Sequence, residues 1–491
     1  MVANALISGA TPSLTLEKIT IGSVLAPGPD TKLGRSRPYT TGMYRNRPRC
    51  ILVCQRELNK IREQASNMNG EEHTASYYAA TRNNQTTYPQ LEGEHETDIC
   101  IIGGGFTGVA CALTLAERGH SVTVVEQHRI SWGASGRNGG QLIHGLSGTK
   151  HLSKHLSWDK IWQLNYRGND IIKDRVEKYG IDCDLKSGYI EVALKKSHME
   201  GLKEDYDEHV EQGLGEHLRL IDEGEVGELL GTDAYMGGML NDLNGHLHPL
   251  NLCTGEAAAA AKLGATIFEQ TEVTGITRGK QARIHTKTGN IVANKVLIAG
   301  NAYHRLEPGK LSGLVFPAGS YIIATEPLSD EIVNKINPQD LAVCDLSNVL
   351  DYYRLSADNR MLYGGRCNYS GKVPASIKGS MRPRMLDIYP DLADARIDYE
   401  WGGNIGIVIK RVPLLGRVSD NVFYSMGYSG HGLAPTHIAA EIMADAMEGN
   451  TEVLDAYEKI KHWRIPGSQW FGNQIVALGM LYFRAIDLSP L

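Results

Sequence analysis

The segment from Thr97 to Gln141, TDICIIGGGFTGVACALTLAERGHSVTVVEQHRISWGASGRNGGQ, constrains the fold more than any other part of this chain. Ile99 to Ile102 form a short apolar run that predicts a buried parallel strand, and Ser121 to Val125 predict a second one. Between them Gly103, Gly105 and Gly108 occupy the glycine positions of a dinucleotide turn. Such a turn needs a tight bend, a close approach of backbone to pyrophosphate, and close packing of helix on strand. The helix predicted from Thr107 to Arg118 aims its first N–H groups at the phosphates. Glu126 ends the second strand about 20 residues past the glycines, where a carboxylate accepts from a ribose hydroxyl and disfavours a 2′-phosphate. Glycines alone also serve ordinary turns; strand, helix, strand and terminal acid in this order are what make the nucleotide reading.

Nicotinamide and flavin dinucleotides share this half-site, so later segments must separate them. WGASGRNGGQ, Trp132 to Gln141, follows the second strand directly. Its small residues, Ser135, Gly136, Gly139 and Gly140, let backbone approach a flat ring, and Arg137 can meet a phosphate; Gln127, Asn138 and Gln141 join the candidate contacts. KVLIAGNA, Lys295 to Ala302, brings Ala299 and Gly300 back beside the first strand. Val422 to Gly449 runs strand, glycine turn, helix, and Gly430, His431, Gly432 and Leu433 open that helix. A helix N-terminus aimed at the pyrimidine end of a flavin stabilises the negative charge that appears there on reduction. The expected cofactor is FAD, and no metal is expected.

These residues resemble the FAD-dependent oxidoreductases of the D-amino-acid oxidase and glycine oxidase superfamily, and within it the gamma-glutamylputrescine oxidase branch. The resemblance rests on EHTASYYAAT from Glu72, GASGRNGGQ from Gly133, DYYRLSADNRMLYGGR from Asp351, GYSGHG from Gly427 and the tail from Ile465. That tail holds fewer basic residues than the branch implies, and residues 1–67 have no counterpart in it. The resemblance places Val273 against the adenine. It implies an α/β chain with a discontinuous Rossmann-like FAD-binding domain and a second, α+β substrate domain built on a mostly antiparallel sheet. FAD-binding parts are expected at 68–158, 241–312 and 413–491, and substrate parts at 159–240 and 313–412. An amphipathic pattern predicts a helix from Lys160 to Lys178 and another from Leu202 to Gln212. Strands are predicted at Ser187–Ala193, within Ala265–Ile276, and at Phe316–Pro327, Asp351–Arg366 and Asp398–Pro413.

Composition bounds the function. A length of 491 residues exceeds what one core usually serves. A net charge of −6 argues against a nucleic-acid partner, and no apolar run reaches the length of a membrane span. The charge is uneven: residues 1–67 hold 10 Lys and Arg against 4 Asp and Glu, leaving 40 against 52 for the rest. That basic, Pro- and Gly-rich stretch reads as a disordered leader, with an organellar presequence as the alternative. The 8 scattered cysteines suggest no disulfide framework, so a reducing compartment, the cytoplasm, is expected. Cys50 and Cys54 lack partners at zinc spacing; Cys100 and Cys111 are expected to pack; neither His431 nor Cys367 lies in a flavin-linking motif.

Hydride transfer from an amine carbon to flavin N5 requires a neutral nitrogen, and no base need touch the carbon. Aromatic walls and a few charges are therefore expected rather than a triad. Tyr321, Tyr352, Tyr353, Trp401 and Tyr428 are the candidate wall, and Arg354, Arg366, Lys410 and Arg411 could pair a substrate carboxylate, although most are expected to be structural. Tyr428 and His431, on the loop expected against the ring, and His144 are the candidate catalytic residues. The expected activity is oxidation of a C–N bond in a small amine, gamma-glutamylputrescine-like first, with O2 or a quinone reoxidising the flavin. N-methylated amines or small amino acids are the alternative substrates, and a non-catalytic FAD-binding protein is the alternative of another class.

Overall fold

The computed structural model describes residues 72–347, 349–368 and 374–464, excluding the side chains of 366–368. The leader with Cys50 and Cys54, the tail from Ile465, and the Arg366 and Cys367 side chains lie outside the described residues.

Two sheets organise the chain. In the first, Gly93–Ile102 is central and pairs in parallel with Val122–Val125 on one side and Gly289–Ile298 on the other. Thr266–Phe268 extends one edge in parallel; Val422–Met426 and then antiparallel Leu414–Ser419 extend the other. Cys100 and Ile101 point to opposite faces and both are fully buried, which explains an unbroken apolar run in place of alternation. Phe106–Glu117 follows the glycine turn and is buried from Phe106 through Ala116, so its sequence is apolar all round. Pro249–Lys262 and Leu433–Glu448 pack on it. Pro249 at the first helical position and a His248 side chain that accepts from Asn251 N–H start the former.

Among the described residues the second sheet has nine strands and is antiparallel except where Ala342–Asp345 runs parallel to Lys186–Val192. Its longest pairing joins Phe316–Thr325 to Ile397–Ile407, and Asp351–Leu355 turns back as Met361–Asn368. Gln141–Leu142 enters this sheet beside Gly245 and His246, so the second glycine-rich loop passes straight from one sheet to the other.

The single helix predicted from Lys160 to Lys178 is two helices, Trp158–Asn165 and Arg167–Tyr179. The cause is tertiary. The Asn165 carbonyl accepts from Gly145 N–H instead of continuing the ladder, and Gly168 meets Leu433–Glu448 so closely that a Cβ there would lie 2.3 Å from the Ala434 carbonyl oxygen.

Four helices meet on one buried ion network. Glu256, fully buried, accepts from Arg175 Nη1 at 2.9 Å and faces His437 Nε2 at 3.2 Å. Arg175 Nη2 also donates to Thr114 Oγ1 and to the Ala110 carbonyl, on the first nucleotide helix. Burial alone would raise the Glu256 carboxyl pKa, but His437 and Arg175 overcome it and hold it below its ordinary value. The Glu256→Ala variant should lose about 3–5 kcal/mol, read as a lower melting temperature, because it strands two buried partners. Since the folded pKa is depressed, the stabilisation is fully present above the ordinary glutamate pKa of about 4.3. It is lost as pH falls through the folded value, so the gap between wild type and Glu256→Gln should narrow in acid.

Candidate active site

The carboxyl ends of the parallel strands open on one cavity of about 2390 Å³ that extends under the second sheet. Its wall brings together Gly103, Gly105 and Thr107 of the turn, Glu126 and Gln127, and Ser135, Arg137, Asn138, Gly139 and Gln141. Val273, Ala299, Gly300 and the run from Tyr428 to Leu433 complete it. Gly108, Gly136 and Gly140 do not reach the cavity; they stand behind its wall. A Cβ on Gly108 would lie 1.9 Å from the Gly103 carbonyl oxygen, so the helix can dock on the strand only through glycine.

Gly103 adopts φ of +120°, the conformation that turns the chain from strand to helix. Phe106 N–H donates to Ser135 Oγ at 2.9 Å, which locks the helix start to the second loop. Glu126 accepts from the N–H groups of Gly104 and His128 at 2.7 and 2.8 Å, and burial raises its carboxyl pKa despite them. These contacts leave it lone pairs for a ribose hydroxyl. Arg137 lies over the Trp132 ring at 4.2 Å and donates through Nε to the Trp132 carbonyl, while its Nη2 is buried without a partner. A buried guanidinium nitrogen in the wall needs an acceptor, and a dinucleotide supplies one. The residues therefore fit a bound FAD.

Other polar side chains serve the main chain. Asn138 donates to the Ala134 and Ser135 carbonyls and accepts from Gly140 N–H. Gln141 donates to the Val343 carbonyl, and Trp401 Nε1–H to that of Arg137. Arg354 is buried behind the wall, where it donates to the carbonyls of Gly139, Leu247 and Leu355 and to the Tyr78 hydroxyl. That geometry takes it out of reach of a substrate carboxylate. Tyr353 is likewise in a separate core, with its phenol between those of Tyr235 and Tyr389. Tyr321, Tyr352, Trp401 and Arg411 line the cavity, whereas Lys410 does not.

The three candidate catalytic residues stand in different settings. Tyr428 turns its hydroxyl inward, accepting from Thr107 Oγ1 at 2.9 Å and meeting Ser425 Oγ at 2.7 Å. His431 lies in the wall with Nε2 at 3.1 Å from the Ile143 carbonyl oxygen, and burial lowers its pKa below 6.5. His144 stacks on Tyr166 with ring centres 4.2 Å apart and contacts His209 through Nε2 at 3.2 Å. Burial first, then His209, hold its pKa well below 6.5. Sequence reasoning missed Trp132, His209, Trp162 and Glu191, all of which line the cavity. For Glu191 a signal existed: an acid inside the strand pattern YIEVAL.

Residues 98–446 match the family described as FAD dependent oxidoreductase. This chain belongs to that family. It is 37% identical over 422 residues to the gamma-glutamylputrescine oxidoreductase of Escherichia coli (strain K12), covering 85% of this chain and 99% of the relative. It is 38% identical to the probable oxidoreductase OrdL of Haemophilus influenzae, covering 85% of this chain and 98% of the relative. Among solved structures, glycine oxidase from Geobacillus kaustophilus superposes with a TM-score of 0.61 at 24% identity, covering 72% of this chain and 95% of that one. L-proline dehydrogenase from P. horikoshii superposes with a TM-score of 0.63 at 22% identity, covering 75% and 98%. These two likenesses establish the shared fold.

As an FAD-dependent oxidoreductase the protein uses FAD as its cofactor. Among the described residues no helix is long and apolar enough to cross a membrane. Acid precipitation of the purified protein should release FAD into the supernatant; flavin left on the pellet would contradict a noncovalent site. Glu126→Ala is expected to weaken FAD retention about 10- to 100-fold, measured by flavin fluorescence on dilution, since the charge-assisted bond expected from the ribose would be lost.

Proposed function

We propose that this FAD-dependent oxidoreductase oxidises a C–N bond of a small amine, with gamma-glutamylputrescine-like amines as its first substrates. The observation that carries this reading is the wall of the cavity. Tyr321, Tyr352 and Trp401 supply aromatic surface, and His431 supplies a neutral imidazole among them. The near-full-length match to a gamma-glutamylputrescine oxidoreductase supports the choice of substrate class. Bound FAD supplies the hydride acceptor. The residues that would hold it are those of the glycine turn, Glu126, the 132–141 loop with Arg137, Ala299 and Gly300, and the backbone of Gly430 to Leu433.

The chain's own task is to deliver the amine in its neutral form and in line. An ammonium must shed a proton before it can react, and aromatic surface around the reacting nitrogen, which solvates a charge less well than water, favours that loss. His431 is placed to take that proton. Its Nε2 lies 3.1 Å from the Ile143 carbonyl oxygen and carries the hydrogen in the neutral ring, which the His144 backbone also contacts. Tyr428 acts as a positioning residue, tying the GYSGHG loop to Thr107 on the first nucleotide helix.

Anaerobic mixing with an amine panel tests the proposal. Rapid bleaching of the flavin by one class of amine is the expected result, and reoxidation in air then separates oxidase from dehydrogenase. A flavin that no amine reduces would sink the reading. With an alkylamine of pKa near about 10, reduction at subsaturating substrate should rise with pH until the bound amine is neutral. Below the depressed pKa of His431 its accepting nitrogen is occupied, which steepens the acid limb. His431→Gln should lower the second-order rate of reduction by on the order of 10²-fold and remove that extra slope. Tyr428→Phe should instead cost about 1 kcal/mol of stability with little change in rate; a shifted pH profile would return its hydroxyl to the chemistry.

A further inference from the structure

Arg411 and Ser429 are both held in the left-handed region, at φ of +59° and +57°, and they touch each other in the cavity wall. That conformation is unfavourable for a residue with a Cβ, and it persists only where the surroundings impose it. Here they do. All three polar groups of Ser429 are bonded to one turn of the chain: its N–H donates to the Gly406 carbonyl at 2.8 Å, its Oγ accepts from Val408 N–H at 3.1 Å, and its carbonyl accepts from Arg411 Nη1 at 3.2 Å. Arg411 N–H closes that turn on the Val408 carbonyl at 2.9 Å. The turn that follows Ile397–Ile407 and the GYSGHG loop from Gly427 are therefore one unit, and the guanidinium is fixed on the loop.

A clamp on a carbonyl needs a hydrogen-bond donor, not a charge. Arg411 brings a charge as well. Among the described residues no carboxylate lies within ion-pair distance of it, and no acceptor other than the Ser429 carbonyl takes its side-chain N–H groups. By contrast Arg417, on the strand that follows, is neutralised by Asp455 and Glu458. An unneutralised cation in a cavity wall raises the electrostatic potential felt by whatever occupies the cavity. The residues after Ser429, Gly430 to Leu433, are those whose backbone would hold the flavin. Hydride transfer brings two electrons and one proton to flavin N5 and leaves one negative charge on the pyrimidine end of the ring. A positive charge beside that end stabilises the reduced form more than the oxidised one.

We propose that Arg411 sets the reduction potential of the flavin: its charge, fixed through Ser429 on the loop that receives the pyrimidine end, stabilises the reduced, anionic ring. It acts on the cofactor whether or not substrate is bound, which separates it from the substrate carboxylate clamp that its residue type alone implies. This inference rests on the placement of the GYSGHG loop against the flavin in the proposed function, and it names the residue that makes the flavin a stronger acceptor.

The test is anaerobic equilibration of the substrate-free holoenzyme with a redox dye of known potential, both reduced stepwise by dithionite and read by absorbance. Arg411→Gln keeps a donor for the Ser429 carbonyl and removes the charge. It should shift the equilibrium toward oxidised flavin by about 10- to 100-fold, each tenfold step being about 30 mV for a two-electron couple. Arg411→Lys, which keeps the charge, should recover most of that shift, with FAD content and melting temperature as controls for folding. An Arg411→Gln flavin with the wild-type equilibrium would overturn the proposal, because that is the result expected of an arginine that only clamps Ser429 or a substrate carboxylate. So would an Arg411→Lys shift as large as that of Arg411→Gln. A wild-type measurement decides the matter if the variants lose FAD: the reduced flavin should keep its anionic spectrum below the pH at which free reduced flavin takes a second proton, and a neutral reduced flavin there would also overturn the proposal. No amine enters these measurements, so a flavin that no amine reduces would defeat the proposed reaction while the role of Arg411 is still decided.

Discussion

The buried contact between Glu256, Arg175 and His437 fixes the relation between the parts that must cooperate. Glu256 belongs to the helix entered directly from the second sheet, His437 to the helix opened by the GYSGHG loop, and Arg175 to the second half of the broken helix. Through Thr114 and Ala110 the same arginine holds the first nucleotide helix. A buried ion pair of this kind adds little net stability over a well-packed apolar cluster, because desolvation consumes most of the Coulomb gain. Its contribution is geometric. Apolar helices can slide by a turn at small cost, whereas a guanidinium with a carboxylate, a hydroxyl and a carbonyl in place admits one register. The glycine turn and the GYSGHG loop inherit their separation from that register.

The same economy operates at the cavity wall. Asn138, Gln141, Trp401 and Arg354 look like ligand contacts by residue type, yet each donates to a backbone carbonyl of the 134–141 loop, of the roof strands or of the turn before Pro249. A loop that must lie against a flat ring cannot be held by the ring alone. Side-chain clamps supply its rigidity, and the backbone is left to meet the cofactor.

Much of this was legible in the sequence, for identifiable reasons. The first nucleotide strand and helix are set by local pattern: an apolar run, three glycines and an acid at the right distance produce the same turn in any context. The roof strands at 316–325, 351–368 and 397–407 showed in their dense apolar pattern. What escaped depends on contacts far apart in the chain. The break at Tyr166 comes from Gly145 and Ala434, neither of which marks the helix sequence. The direction of the Tyr428 hydroxyl depends on where Thr107 falls, 321 residues away. Arg354 has the residue type of a substrate clamp, and only the positions of Gly139, Leu247 and Tyr78 show that it is a clamp on the chain itself.

Of the histidines that line the cavity, His144, His209 and His431 are told apart by their partners. His144 and His209 meet through Nε2 at 3.2 Å, one donating and the other accepting, in a chain that runs from Asn244 to Asp205. His431 is held by the backbone of Ile143 and His144. In the proposed reaction His431 is the imidazole on the loop assigned to the flavin, whereas His144 and His209 are bonded to each other. Burial depresses the basicity of His144 and His431 alike, so it is their hydrogen-bond partners that distinguish them.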